Sequence, residues 1–386
     1  MPLSFGPESQ CGFRREALVT ARTWPAASAA LLQWALPLLS AEVSEGLTKQ
    51  FQATRGSQYG YTGSAVTAHT PTIALTLDWR YGGLEQLLCC AFGYMAKRVA
   101  GNTIVLPELL AAGVYRHLYE LDVSVTTANL WGAADGVLGG DSLPAGLRKV
   151  RRGTVALSRG VSVWELLSGV VDQVSFAVQA DGKATCAVNG IAYSLSRTSS
   201  ANTLAVMAAL PPLAYPTVLG TDLRVRLAPY SASTPLDSGD EVAVTAWSLT
   251  MQHNLAVQQS HEQPLHAAEL EQQGTPLVSG SLTLPRYQSD TFFAAYSAND
   301  TYMLECTFTG PLIPHTATAY AYTFYVPHVK LTQVTAPLNQ GTANQPLLWY
   351  AQVPIAQAAG FPASHHIGPV MLEHVTHEGG HPLLVT

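Results

Sequence analysis

The sequence predicts a mainly β chain built on two copies of a strand, long loop, strand and helix unit. Three observations carry that prediction. Apolar and polar residues alternate with period two along most of the chain. Helical spacing of apolar residues is confined to two short segments. The same features then recur in the same order in the two halves.

In the first half, residues 72–79 (TIALTLDW), 118–125 (LYELDVSV), 174–178 and 186–194 show the alternation, with β-branched and aromatic residues filling one face. Asp181-Gly182 and Asn189-Gly190 are turn dipeptides, and the first joins two strand-like runs as a hairpin. A helix starts at Leu84, where Leu84, Leu87, Leu88, Ala91, Phe92 and Met95 mark one face. Lys97 and Arg98 end it on the favourable side of the helix dipole.

In the second half, residues 242–251 (VAVTAWSLTM), 278–284, 302–308 and 320–334 read as strands. Tyr320, Tyr322, Phe324 and Val326 share one face of the last, a stripe that fits sheet packing better than a ligand cage. A shorter helix starts at Ser289-Asp290, both good N-caps, and buries Phe292, Phe293 and Tyr296.

Each helix sits in matching surroundings. Thr70-Pro71, a strand, Arg80-Tyr81 and then Leu87-Leu88 are answered by Thr275-Pro276, a strand, Arg286-Tyr287 and then Phe292-Phe293. Long polar stretches, 48–69 and 252–274, precede the two strands. An internal duplication explains four features recurring in one order. The division expected is an N-terminal arm or short helix (1–40), a first module (41–209), a Pro-rich, strand-poor linker (210–239), a second module (240–336) and a C-terminal extension (337–386).

Composition narrows the function. Only 12% of residues are charged, against about 25% in average domains, and the net charge is −6. Lysine occurs only at Lys49, Lys97, Lys149, Lys183 and Lys330. With no basic run, the chain cannot neutralise a phosphate backbone, which excludes a nucleic-acid binder. A neutral-polar surface on so long a chain suggests that much of it meets other protein. The longest apolar stretch, 26–39, is broken by Gln33 and Pro37 and is too short to cross about 30 Å of hydrocarbon. Arg14, Arg15 and Arg22 precede it in the manner of a secretory signal ending near Ala41, but Trp24-Pro25 falls inside that signal, so an arm or helix packed on the body is the better account. Five cysteines form no C-x-x-C pair and no even framework, as expected of buried, reduced thiols.

Two strings imitate chemistry. His377-Glu378-Gly379-Gly380-His381 fits H-E-x-x-H, but zinc chemistry needs that motif on a helix, and two glycines and Pro382 oppose one. His365, His366 and His374 enrich the same tail. Gly140-Asp141-Ser142-Leu143 spells a serine esterase signature without the preceding buried strand or a late Asp-x-x-His. Asn299-Asp300-Thr301 is a glycosylation triplet that matters only in a secreted chain. No catalytic, cofactor-binding or metal site is therefore expected, and no cofactor.

Residues 240–334 resemble the tail tube proteins of long-tailed, siphovirus-like bacteriophages. The resemblance rests on the strand at 242–251 with its Asn254-Leu255 exit, the polar loop, the strand at 278–284 and the helix near Asp290. The first half is similar through 75–93 and 174–194. The resemblance implies a β-sandwich or barrel with a helix on its flank, copies joined into rings, and rings stacked into a channel that carries DNA from capsid to host. Two modules per chain imply a trimeric ring with pseudo-sixfold symmetry. Further implied are tape-measure and tail-terminator partners, DNA passing without specific binding, no membrane, synthesis in the host cytoplasm and residence in the virion tail. The other readings are a different self-assembling or secreted β-sandwich (adhesin, pilus or capsid subunit) and, more remotely, a metal-dependent or serine hydrolase.

Overall fold

A computed structural model describes residues 3–5, 10–15, 35–53, 61–92, 97–99, 103–105, 108–121, 153–158, 160–198, 201–258, 269–272, 276–286, 290–334, 344–353, 358–361 and 368–377. In chain order the first half holds β1 (Leu3–Phe5), β2 (Gln10–Arg15), β3 (Leu38–Ser44), β4 (Leu47–Ala53), β5 (Tyr61–His69), β6 (Thr72–Asp78), α1 (Glu85–Phe92), β7 (Lys97–Val99), β8 (Thr103–Val105), β9 (Glu108–Ala111), β10 (Val114–Glu120), β11 (Gly153–Ser158), β12 (Val163–Gln179), β13 (Thr185–Ile191), β14 (Ser194–Ser196) and α2 (Leu204–Ala209). The second half holds β15 (Leu223–Pro229), β16 (Ala246–Gln252), β17 (Leu255–Gln258), β18 (Glu269–Gln272), β19 (Leu277–Leu284), α3 (Thr291–Ala298), β20 (Thr301–Leu312), β21 (Ala319–Val334), β22 (Gln345–Ala351) and β23 (Met371–Thr376).

The protein is mainly β, and among the described residues 17 of its strands form one antiparallel network, beside three separate two-stranded pairs. Following the hydrogen bonds, the order runs β1, β3, β6, β13, β12, β16, β19, β22, β21, β20, β15. The two longest strands, 17 and 16 residues, each serve two neighbourhoods. The first half of β12 pairs with β11 and β14, and its second half with β13 and β16. β20 lines one edge of β21, while β23 and then β22 line the other. A strand shared in this way must bend. In β12 the bend falls at buried Ser168, whose φ is +50°. In β21 the ladder skips between Tyr302 and Leu304, opposite Pro327, which has no N–H to offer it.

The sheet curls over one aromatic core. Trp79, just after β6, lies 4.8 Å from Phe176 on β12, 4.9 Å from Phe308 on β20 and 5.0 Å from Tyr322 on β21, ring centre to ring centre. Trp247 of β16 stacks 6.4 Å away and reaches Phe324 at 5.3 Å. All of these rings are fully buried. The alternation at 320–326 is thus a core stripe, since Tyr320, Tyr322, Phe324 and Val326 all point inward.

Most of the expected strands form, and the Asp181-Gly182 hairpin is there, with Gly182 N–H donating to the Gln179 carbonyl at 3.0 Å. Several expectations are corrected. Asn189-Gly190 lies inside β13 rather than in a turn. A Cβ on Gly190 would come 2.9 Å from the Val170 carbonyl oxygen, so close strand approach, not chain reversal, requires glycine there. The long polar stretches are not loops: β4 pairs with β5, and β17 with β18, as two-stranded ribbons. α1 ends at Phe92, and Lys97 and Arg98 lie in β7, paired with β8. In α3 Phe292 and Phe293 pack half-buried on the core, but Tyr296 is 44% exposed because the helix turns Ala295 inward instead. Region 210–239 is not strand-poor, because β15 pairs with β20 along its whole length. β22, from the expected extension, sits between β19 and β21 as a full member of the sheet. In the N-terminal region the described segments are strands, not helix: β1 joins β3, and Arg14 and Arg15 pair with β11 in β2.

Trp79→Ala should lower stability by about 3–5 kcal/mol, because five aromatic neighbours cannot collapse into the space left. A urea unfolding midpoint unchanged from the parent chain would contradict this account of the core.

Candidate assembly surfaces

Two ribbon arms, two strand edges and the charged surface are the places where this chain can meet other protein. Each arm leaves the sheet between two paired strands: β4·β5 between β3 and β6, and β17·β18 between β16 and β19. Each is turned out of the sheet by one residue in the left-handed region. At the first arm this is Gly46, φ +56°, where a Cβ would sit 1.8 Å from the Thr70 carbonyl oxygen. Thr70 N–H closes the base by donating to the Gly46 carbonyl at 3.2 Å. At the second arm it is Asn254, φ +55°, a residue type that tolerates this conformation.

The second arm is also tied to the first half. His253 N–H donates to the Asp172 carbonyl at 2.7 Å, and Leu255 N–H to Asp172 Oδ1 at 2.8 Å. His253 Nε2 donates to the Ala91 carbonyl at 2.6 Å, near the end of α1. Burial lowers the pKa of this imidazole, so it stays neutral and keeps that single donor. Apolar side chains are exposed beside both bases: Leu47 and Val66 at the first, Leu277 at the second.

The strand edges differ in how well they are covered. β16 is paired over seven residues on each side, with β12 and with β19. β3 is fully paired with β6, but its other edge carries only the three residues of β1. On β21, Leu331–Val334 pairs with β22 on one edge, and among the described residues nothing pairs with it on the other, since the β20 ladder ends at Lys330. β3 contains neither Lys nor Pro, the usual guards of an open edge, and nor does 331–334. Lys330 itself is turned back to the Asn299 carbonyl.

The basic side chains on view are largely committed. Arg226 bridges Glu305 at 3.0 Å and Glu241 at 3.7 Å, Arg80 holds Asp78 at 3.2 Å, and Arg116 faces Glu373 at 3.8 Å. Arg80 also donates to the Leu213 carbonyl at 2.8 Å, and Tyr81 to Asp222 at 2.9 Å, so the Arg-Tyr pair locks α1's approach to the 213–222 segment. In the second half Arg286 is exposed, and Tyr287 lies outside the described residues.

Of the strings that imitate chemistry, only His377 and His374 lie among the described residues. His377 follows directly on strand β23, so its motif does not start on the helix that zinc ligation requires. Its Nδ1 is 2.5 Å from the Tyr320 hydroxyl, and its ring stacks on Tyr215 at 4.9 Å. Glu378, His381, His365, His366 and residues 140–143 lie outside the described residues. Among the described residues no three His, Cys, Asp or Glu side chains gather as metal ligands. Asn299 caps α3 with φ +57°. His374 is fully buried in β23, stacked on Tyr322 at 4.1 Å, with Nε2 3.3 Å from the Tyr81 carbonyl. The five cysteines are buried and form no disulfide, and desolvation pushes the Cys186 thiol up to about 12, which leaves it inert at neutral pH. No helix among the described residues is long and apolar enough to cross a membrane.

A protein-family model described as phage tail tube protein matches residues 17–347. No curated protein matches the chain.

Burial holds His374 well below its ordinary 6.5, with nearby His117 pushing the same way, while Glu85 Oε1 lies 3.8 Å from Nδ1. The folded chain therefore keeps His374 neutral, whereas the unfolded chain takes up a proton below about 6.5. Its contribution to stability is complete above that pH and is lost as pH falls towards the lower, folded value. Thermal unfolding followed from pH 7.5 down to 5 should show this decline, and His374→Gln should flatten it. An equal slope in both chains would assign the loss to other groups.

Proposed function

Because the chain belongs to the phage tail tube protein family, we propose that it forms closed rings of three copies, each copy filling two places of a pseudo-sixfold ring. It is a structural tail tube protein, and the virion tail is where it resides. The reading beyond that rests on repetition within the chain. The succession β3, arm, β6, α1 is matched by β16, arm, β19, α3. Both helices have eight residues, and β3 and β16 have seven each. Further along, the hairpin partners β12 and β13 are matched by β21 and β22, and β13 and β22 again have seven residues each. Both pairs carry one register shift, after Val171 and after Leu331. A bent strand and its hairpin partner therefore complete each copy. The second module, drawn in the sequence at 240–336, is better extended through β22.

One observation carries the ring: the seven-residue pairing of β12 with β16, by which the last-placed strand of the first module receives the first strand of the second. Repeated between chains, the same contact sets Leu331–Val334 of β21 against β3 of the next copy. Three repeats of a two-module chain then close. In this reading the two arms reach the neighbouring rings. A net charge of −6, with the described arginines largely paired to carboxylates, suits a lumen through which DNA slides without sticking. Tape-measure and tail-terminator proteins would meet the ends of the tube, and the chain would be made in the host cytoplasm and assembled there.

Imaging of assembled tubes without imposed symmetry should resolve three chains per ring with six similar lobes. Six chains per ring would overturn the proposal.

A further inference from the structure

The two modules treat corresponding edges differently. The outer edge of β16 holds β12 over seven residues, while the matching edge of β3 holds β1 over three: Leu3 opposite Val43, Ser4 opposite Glu42 and Phe5 opposite Ala41. β1 therefore occupies the position that a β12-like strand fills in the other module. It covers only part of the edge. Leu38, Leu39, Ser40 and Ser44 have no partner on that side among the described residues, and Leu39 is 50% exposed. Residues 331–334 of β21 in another copy offer four positions against the three of β1, and a hydrogen-bonded edge admits one partner at a time.

We propose that β1 is a displaceable cover for the ring-forming edge of β3, paired there in the free chain and given up to β21 of the next copy on assembly. This rests on the ring reading above. It supplies a guard for an edge that has neither Lys nor Pro. It also gives assembly a threshold, since each ring contact first costs the three β1 pairs. Free subunits then resist random edge-to-edge pairing until local concentration, or contact with an existing ring, favours the longer ladder.

The test locks and releases this cover in the full chain. Residues directly opposite in an antiparallel pair have Cα atoms about 4.5–5.5 Å apart, within disulfide reach. Ser4→Cys with Glu42→Cys, oxidised, should remain monomeric in size exclusion and negative-stain imaging, and reduction should restore ring formation. Ser4→Pro with Phe5→Pro should do the reverse, lowering the concentration at which rings appear on the order of tenfold. Ser4→Cys alone controls for the added thiol. If the parent chain forms three-copy rings and the oxidised double-cysteine chain forms them equally well, the cover is overturned while the ring stands. If the parent and the proline variant both stay monomeric at every concentration tested, edge pairing itself fails and the cover fails with it.

Discussion

The packing of Trp79 against rings from both halves of the chain is the contact on which the rest depends. Phe176 comes from the first half, and Trp247, Phe308, Tyr322 and Phe324 from the second. Each buried ring in this cluster removes about 150–250 Å² from water. The cluster's members come from five places along the chain, so neither half can complete it alone. The two halves are thereby joined in one core, with β12·β16 continuing the junction through backbone hydrogen bonds.

Bent strands follow from the same requirement. A sheet that must curl over one core cannot stay flat, and β12 and β21 take the curvature at a positive-φ serine and at a proline opposite a skipped ladder position. Having bent, each strand offers separate edges to different neighbours. The scarcity of lysine then has a structural setting. The open edges at β3 and 331–334 carry no lysine, and the one beside them, Lys330, is engaged with the carbonyl of Asn299. Edges without lysine or proline are the ones a neighbouring strand can join.

Much of this was legible in the chain before folding. Alternation located most strands, helical spacing located α1, and Asp181-Gly182 located the hairpin turn. The failures share a cause. The arms read as loops because a ribbon paired only with itself has no need of a continuous apolar face, and 48–53 (TKQFQA) is mostly polar. Gly190 looked like a turn because the sequence shows only that no side chain is wanted, and not whether the chain reverses or a neighbouring strand comes close. Tyr296 was placed inside because helical spacing defines a face without saying how far the core extends beneath it. β15 and β22 were missed because their partners, β20, β19 and β21, are distant in sequence. The uneven cover on β3 left no signal at all in the sequence around Leu3.

The sequence by itself determined the β character, the position of most strands and the weakly charged composition. These are properties of local spacing and composition, which act through backbone geometry within a few residues. Only the tertiary structure decided which strand lies beside which, that both halves share one aromatic core, that the polar stretches stand out as paired arms, and which edge is left half covered. Those choices depend on burying area and pairing backbone groups between residues far apart along the chain. That energy is settled only when the whole sheet has closed over its core.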